Sequence, residues 1–149
     1  MKRILVFITK GPKICRLSNQ QIQQISNNLL SLKLPSNFNR QPRSIKDLCY
    51  WKATEYRSFL LYLGPIVLKG ILSEASFKHF LALHVGMFIL LDEDKINNSD
   101  TVPYARKLLC WFCENCVEVY GDLFAVYNVH ALRHLADDVL HHKLSLIHI

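Results

Sequence analysis

Residues Tyr50 to Leu63 read Tyr-Trp-Lys-Ala-Thr-Glu-Tyr-Arg-Ser-Phe-Leu-Leu-Tyr-Leu, and Gly64-Pro65 follow at once. Lys52, Glu55 and Arg57 stand here among apolar and aromatic side chains, where an unpaired charge is costly, so the stretch reads as one well-paired element rather than a loop. On a helix Lys52 and Glu55 are i, i+3 neighbours and are expected to pair. Phosphate contact is the second reading for Arg57. The helical pattern starts at Ser44, a capping residue with Asp47 near the positive end. It runs to about Leu63 with a break near Trp51–Thr54. Gly64-Pro65 is expected to stop it, and Pro65 suits the first turn of another short helix through Leu72.

Upstream, Ser18 and Gln21 form a capping box, and Ile22, Ile25, Leu29 and Leu32 recur at helical spacing until Pro35 closes the helix. Residues Ser36 to Pro42 read as a connector. Downstream, Ser73 caps a helix whose Phe77, Phe80, Leu81, Leu83, Met87, Phe88 and Leu91 cover so much of its circumference that it belongs in a core. Asp92 to Val102 is polar and reads as a surface loop. Pro103 opens a further helix to about Tyr120 with Gly121 as its C-cap, and a last helix spans about Val126 to His142. At the start, Arg3 to Thr9 reads as a short strand ended by Gly11-Pro12. Its five apolar residues, Ile4 to Ile8, are fewer than the roughly 7–15 of a signal-peptide core. The expected fold is mainly α, an irregular helical bundle with a short N-terminal strand. Residues 1–15 are the strand and connector, and 16–143 the helical domain.

Half the residues are hydrophobic and a fifth charged, which excludes a disordered chain. No window reaches the roughly 18 uninterrupted apolar residues of a membrane span, so no membrane partner is expected. The cysteine count is odd, five, and without a secretion signal this points to a reducing, intracellular setting. Eighteen basic against twelve acidic residues give a net charge of +6. Arg40, Arg43, Lys46, Lys52 and Arg57 concentrate part of that excess, and such a patch can neutralise DNA phosphates without reading sequence. A solvated basic face accounts for it equally well.

The segment Lys52-Ala-Thr-Glu-Tyr-Arg-Ser-Phe-Leu-Leu-Tyr62 resembles one found in proteins derived from cut-and-paste DNA transposons of the CACTA (En/Spm) type. A second block, Tyr127-Asn-Val-His-Ala-Leu-Arg-His-Leu-Ala-Asp-Asp-Val139, resembles the Asn-Val-His…His-Leu…Asp-Asp segment downstream in the same family. The resemblance runs from about Arg16 to Val139. It implies a helical region that packs against a nuclease core of RNase H-like fold, and a nuclear location.

Other residues carry possible chemistry. His130 and His134 share a helix face at i, i+4, with Asp138 one turn on, and form the best candidate zinc site; imidazoles that hydrogen-bond their neighbours are the plain alternative. Family proteins carry the His pair too. Cys110, Cys113 and Cys116 have knuckle-like spacing, but on a helix the outer two lie about 9 Å apart along the axis, which favours a structural role. Trp51, Tyr56 and Tyr62 could stack on bases of single-stranded DNA, although core aromatics are commoner. DDE-type transposases use separated carboxylates on two Mg²⁺ ions. Adjacent Asp137 and Asp138 diverge by about 100° on a helix and do not supply them.

The expected function is therefore non-catalytic: a helical fragment of a transposase-like protein, scaffolding a missing catalytic domain and contacting DNA. Magnesium belongs to the intact parent only. A domesticated protein-interaction module, self-associating as a homo-oligomer, and a metal-binding helical domain are the alternatives. Leu144–Ile149 corresponds to codons that resemble a transposase mosaic-end adapter, so these six residues are expected to be a read-through artefact.

Overall fold

A computed structural model of the chain describes residues 1–98, 100–142 and 146. The chain is mainly α-helical and divides into two units, Met1–Phe77 and Lys78–Ile149. The expected adapter-derived tail lies outside the described residues apart from Leu146.

The first unit begins with a correction. Residues Lys2–Lys10 form helix α1, and the described residues contain no strand. Ile4, Leu5 and Ile8 are buried while Val6 is 36 % exposed. That is a helical face, because a strand would put residues 4, 6 and 8 together on one side. The β-branched content of the segment favours a strand only when it has a partner to pair with. Here the backbone bonds close locally, and the Thr9 hydroxyl donates to the Leu5 carbonyl at 2.7 Å.

Helix α2, Asn19–Ser31, carries the expected capping box: Gln21 N–H donates to Ser18 Oγ at 3.2 Å, and Ser18 N–H to Gln21 Oε1 at 3.0 Å. The other end of the Gln21 amide donates to the Ile71 carbonyl at 2.9 Å, tying α2 to the end of the unit. Buried Ser26 donates to Ile22 O and accepts from Ser44 Oγ at 3.0 Å, so its burial leaves no hydroxyl unsatisfied. The connector after α2 is a closed loop. Gln41 bridges its neck, its Oε1 accepting from Leu34 N–H at 2.9 Å and its Nε2 donating to Leu34 O at 3.0 Å.

Ser44 caps a 3-10 helix, Ile45–Tyr50. The chain breaks at Trp51–Lys52, as the sequence implies, and α3, Ala53–Ser58, follows. Gly64-Pro65 does not stop it. Phe59–Leu63 widens into a π turn, with Gly64 N–H donating to Phe59 O, and α4, Gly64–Val67, continues directly. Proline has no N–H to give the preceding turn, so the backbone ladder shifts rather than ends. The wider turn buries Phe59, Leu60, Leu61 and Leu63 together and leaves Tyr62 outside. Gly70, at φ 75°, makes the left-handed turn that follows.

Ser73 caps α5, Glu74–Leu90, accepting from Ser76 N–H at 3.2 Å. In the second unit α5 lies close to α7, Thr101–Tyr120: a Cβ on Gly86 would stand 2.9 Å from Leu109 Cδ2. The polar stretch between them holds one helical turn, α6, Glu93–Ile96, capped by Asp92. Gly121, at φ 88°, ends α7. A 3-10 turn, Asp122–Phe124, leads to α8, Tyr127–His130, then a 3-10 segment Ala131–His134, then α9, Leu135–His142. The expected final helix is thus helical throughout but tightens in its middle. Arg133 pairs with Glu114 at 3.0 Å and Arg106 with Asp137 at 3.3 Å, holding this run along α7. No helix among the described residues is long and apolar enough to cross a membrane.

Candidate nucleic-acid interface

The basic residues named from sequence divide by what they touch. Arg43 is committed to the fold: Nε donates to Glu55 Oε1 and Nη2 to Glu55 Oε2, both at 2.7 Å, and Nη2 also donates to Tyr50 O at 2.7 Å. This corrects the expected Lys52–Glu55 side-chain pair. Lys52 precedes α3, so the carboxylate three residues on folds back to its backbone N–H, at 2.8 Å, and Arg43 takes the remaining lone pairs. The Arg43 guanidinium, more than any other group, holds the Glu55 carboxyl below its ordinary pKa against the opposing effect of burial. Lys46 donates through its amine to the Gln23 side-chain carbonyl.

Arg40 and Arg57 come together instead. Both line a cleft of ≈ 220 Å³ whose walls include Asn37, Thr54, Ser58 and Tyr62. Two segments build it: the loop closed by Gln41, and the outer face of α3 with its π turn. Both arginines are exposed, and neither makes an ion pair among the described residues. Glu55 also borders the cleft, but its charge is answered by Arg43. The Glu55 charge also acts on Arg40, so with Arg43 counted the groups at the cleft carry an excess of positive charge, and Arg40 and Arg57 have no direct ion pair among the described residues. Lys52 is exposed one residue before α3.

The three aromatic candidates also separate. Trp51 is buried and its Nε1–H donates to Ser44 O at 3.2 Å; Tyr56 donates its hydroxyl to Leu48 O at 2.7 Å. Both are structural. Tyr62 is 47 % exposed and meets Phe38 edge to face at a centroid distance of 5.4 Å. What the sequence did not reveal is that Arg40, Tyr62 and Arg57 share one depression, since the loop that brings Arg40 there is closed by a side-chain amide seven residues from its target.

In the second unit His130 and His134 place their rings 5.9 Å apart, nearly edge to face. Both rings are exposed, as is Asp138. Among the described residues no group of three His, Cys, Asp or Glu could hold a metal ion. Cys113, one of the three knuckle-spaced cysteines, donates its thiol to Val129 O at 3.1 Å, and burial pushes its pKa up to about 11, so it stays a thiol. Cys110, Cys113 and Cys116 follow one another along α7, with Cys116 buried. None of the five cysteines is in a disulfide.

Two further features had no clear sequence signal. His79 is fully buried, its Nε2 2.8 Å from Phe112 O and its ring 4.2 Å from that of Phe112; burial lowers its pKa to about 4. The ring is neutral, so Nε2 carries the proton and donates to the carbonyl. Lys78, Leu81, Val85, Tyr104, Leu108 and Trp111 line an open, largely apolar groove between α5 and α7.

No protein-family model, curated protein or solved structure matches the chain.

Proposed function

We propose that this chain is a non-catalytic helical part of a transposon-derived, transposase-like protein, which scaffolds a nuclease core and contacts DNA in the nucleus. The family reading rests on the two sequence blocks quoted above. The DNA reading rests mainly on one observation: Arg40 and Arg57 line a single polar cleft, with no ion pair among the described residues to neutralise them. Guanidinium groups without a direct ion pair suit phosphate oxygens, which they meet as fixed forks of donors. Lys52 and Lys46 extend the contact, and Arg43 serves by holding α3 to the segment before it. Cutting DNA requires carboxylates that converge on metal ions. The magnesium chemistry is assigned to the parent's nuclease core.

The test is the affinity of the purified chain for DNA across a salt series. Salt-sensitive binding without magnesium-dependent cleavage supports the reading. Absence of binding removes the DNA contact, and cleavage by this chain alone removes the non-catalytic assignment.

A second reading, a protein-interaction module, is favoured by the apolar groove beside Tyr104 and Trp111, which are 52 % and 39 % exposed. Stable self-association without DNA binding would select it.

A further inference from the structure

From the cleft of Arg40 and Arg57 we infer a binding site for an unpaired nucleotide, so that this chain prefers single-stranded to duplex DNA. The inference rests on the DNA reading above and adds to it the form of the ligand.

Three observations carry it. First, Tyr62 presents an exposed ring at the cleft wall, and Phe38 packs edge to face with it. The contact holds the ring in place without enclosing it. A base stacking there meets a surface that loses little freedom on binding. Second, the charge sits beside the ring, where Arg40 and Arg57 can take the phosphate of a nucleotide whose base lies on Tyr62. Thr54 and Ser58 add hydroxyl groups to the same wall. Ser58 is already partly engaged, donating to Thr54 O at 2.9 Å, and keeps its lone pairs for an incoming donor.

Third, both walls are built to keep their shape. The Gln41 amide closes the loop that carries Phe38 and Arg40, satisfying both backbone groups of Leu34. On the other side, the π turn Phe59–Leu63 sends its neighbours inward and leaves Tyr62 on the outer face. Wide turns of this kind recur at functional sites because they re-aim one side chain at the expense of a regular ladder. A base paired within a duplex has its faces covered by stacked neighbours and cannot lie on Tyr62, whereas a base in a single strand can.

The experiment compares three probes on the purified chain: an oligothymidylate, a strand of the same length made of abasic sites, and a duplex of that length. Phosphate charge is equal in the first two, so their difference reports the base. The expected result is a roughly tenfold preference for the base-bearing strand over the abasic one. The unsubstituted protein should also bind the oligothymidylate more tightly than the duplex; Tyr62→Ala should abolish the preference for the base-bearing strand over the abasic one, and Tyr62→Phe should retain it. Equal binding of the base-bearing and abasic strands by the unsubstituted protein overturns the inference while leaving phosphate contact intact. A preference that survives Tyr62→Ala overturns it as well. No salt-sensitive binding to any probe overturns the DNA reading itself, and this inference with it.

Discussion

Arg43 grips both oxygens of the Glu55 carboxylate, Nε to Oε1 and Nη2 to Oε2 at 2.7 Å each, across a separation of twelve residues. The pair fastens the segment before the 3-10 helix to the start of α3, and Glu55 is only 8 % exposed. Arg43→Ala strands that carboxylate without its cation, so the melting temperature should fall by several degrees. Arg43→Lys should recover only part, because an ammonium cannot fork across two oxygens. Adding Glu55→Gln to Arg43→Ala should destabilise less than Arg43→Ala alone, since no charge is then left behind. Thermal melts of the four proteins check this. The sign with pH follows from Glu55's lowered pKa: the pair's contribution is present above the ordinary carboxylate range and is lost as pH falls through the depressed value.

Helix α1 gives a prediction that separates it from a strand. Leu5 is fully buried and Val6 is not. Leu5→Ala should cost about 2–5 kcal/mol, whereas Val6→Ala should stay within about 0.5 kcal/mol. Urea denaturation of the two variants decides it; a larger loss for Val6→Ala would restore the alternating pattern of a strand.

His79 makes stability depend on mild acid. The unfolded chain takes up a proton near pH 6.5, while the folded ring refuses it until about pH 4. Between those values the unfolded state binds more protons, so stability falls as pH drops through that window and levels off below it. The size is at most about 3 kcal/mol. His79→Gln keeps an amide donor for Phe112 O but cannot titrate in this range. The slope of unfolding free energy between pH 6.5 and 4 should flatten in that variant.

The boundaries set by local chemistry were legible in the sequence. Ser18 with Gln21, Ser44, Ser73 and Gly121 each act within a few residues of their own position, and each sits where its side chain or backbone freedom is needed. What could not be read is what depends on distant partners. The hold of Arg43 on the fold is hidden because the carboxylate it grips lies twelve residues away and has a nearer apparent partner in Lys52. Arg3–Thr9 looked like a strand because its composition suits either state, and only the buried set Ile4, Leu5 and Ile8 reveals the period. Gly64-Pro65 looked terminal because a ladder that shifts by one residue leaves no mark in composition. At the site, Arg40, Arg57 and Tyr62 were each named from sequence; their convergence was not, because it is made by a loop closure.

The thiols should differ in reactivity in a way that reports packing. Cys49 is exposed, Cys15 and Cys116 are buried, and burial raises the pKa of Cys113 to about 11. A disulfide reagent at pH near 8 should modify Cys49 quickly in the native protein and reach Cys15, Cys113 and Cys116 only slowly, with all five reacting after denaturation. Mass spectrometry of partially labelled protein locates the modified sites. Early labelling of Cys113 would contradict its thiol bond to Val129.

In the function proposed above, Arg40 and Arg57 hold DNA phosphates while Arg43 holds the fold. This division of roles is tested most directly by the salt dependence of DNA affinity in the unsubstituted protein, in Arg40→Ala/Arg57→Ala and in Arg43→Ala, each measured where it is folded. The double variant should lower the slope of log affinity against log salt by about two, and Arg43→Ala should leave the slope unchanged although the protein melts earlier. An unchanged slope in the double variant, or a reduced slope in Arg43→Ala alone, would contradict the account.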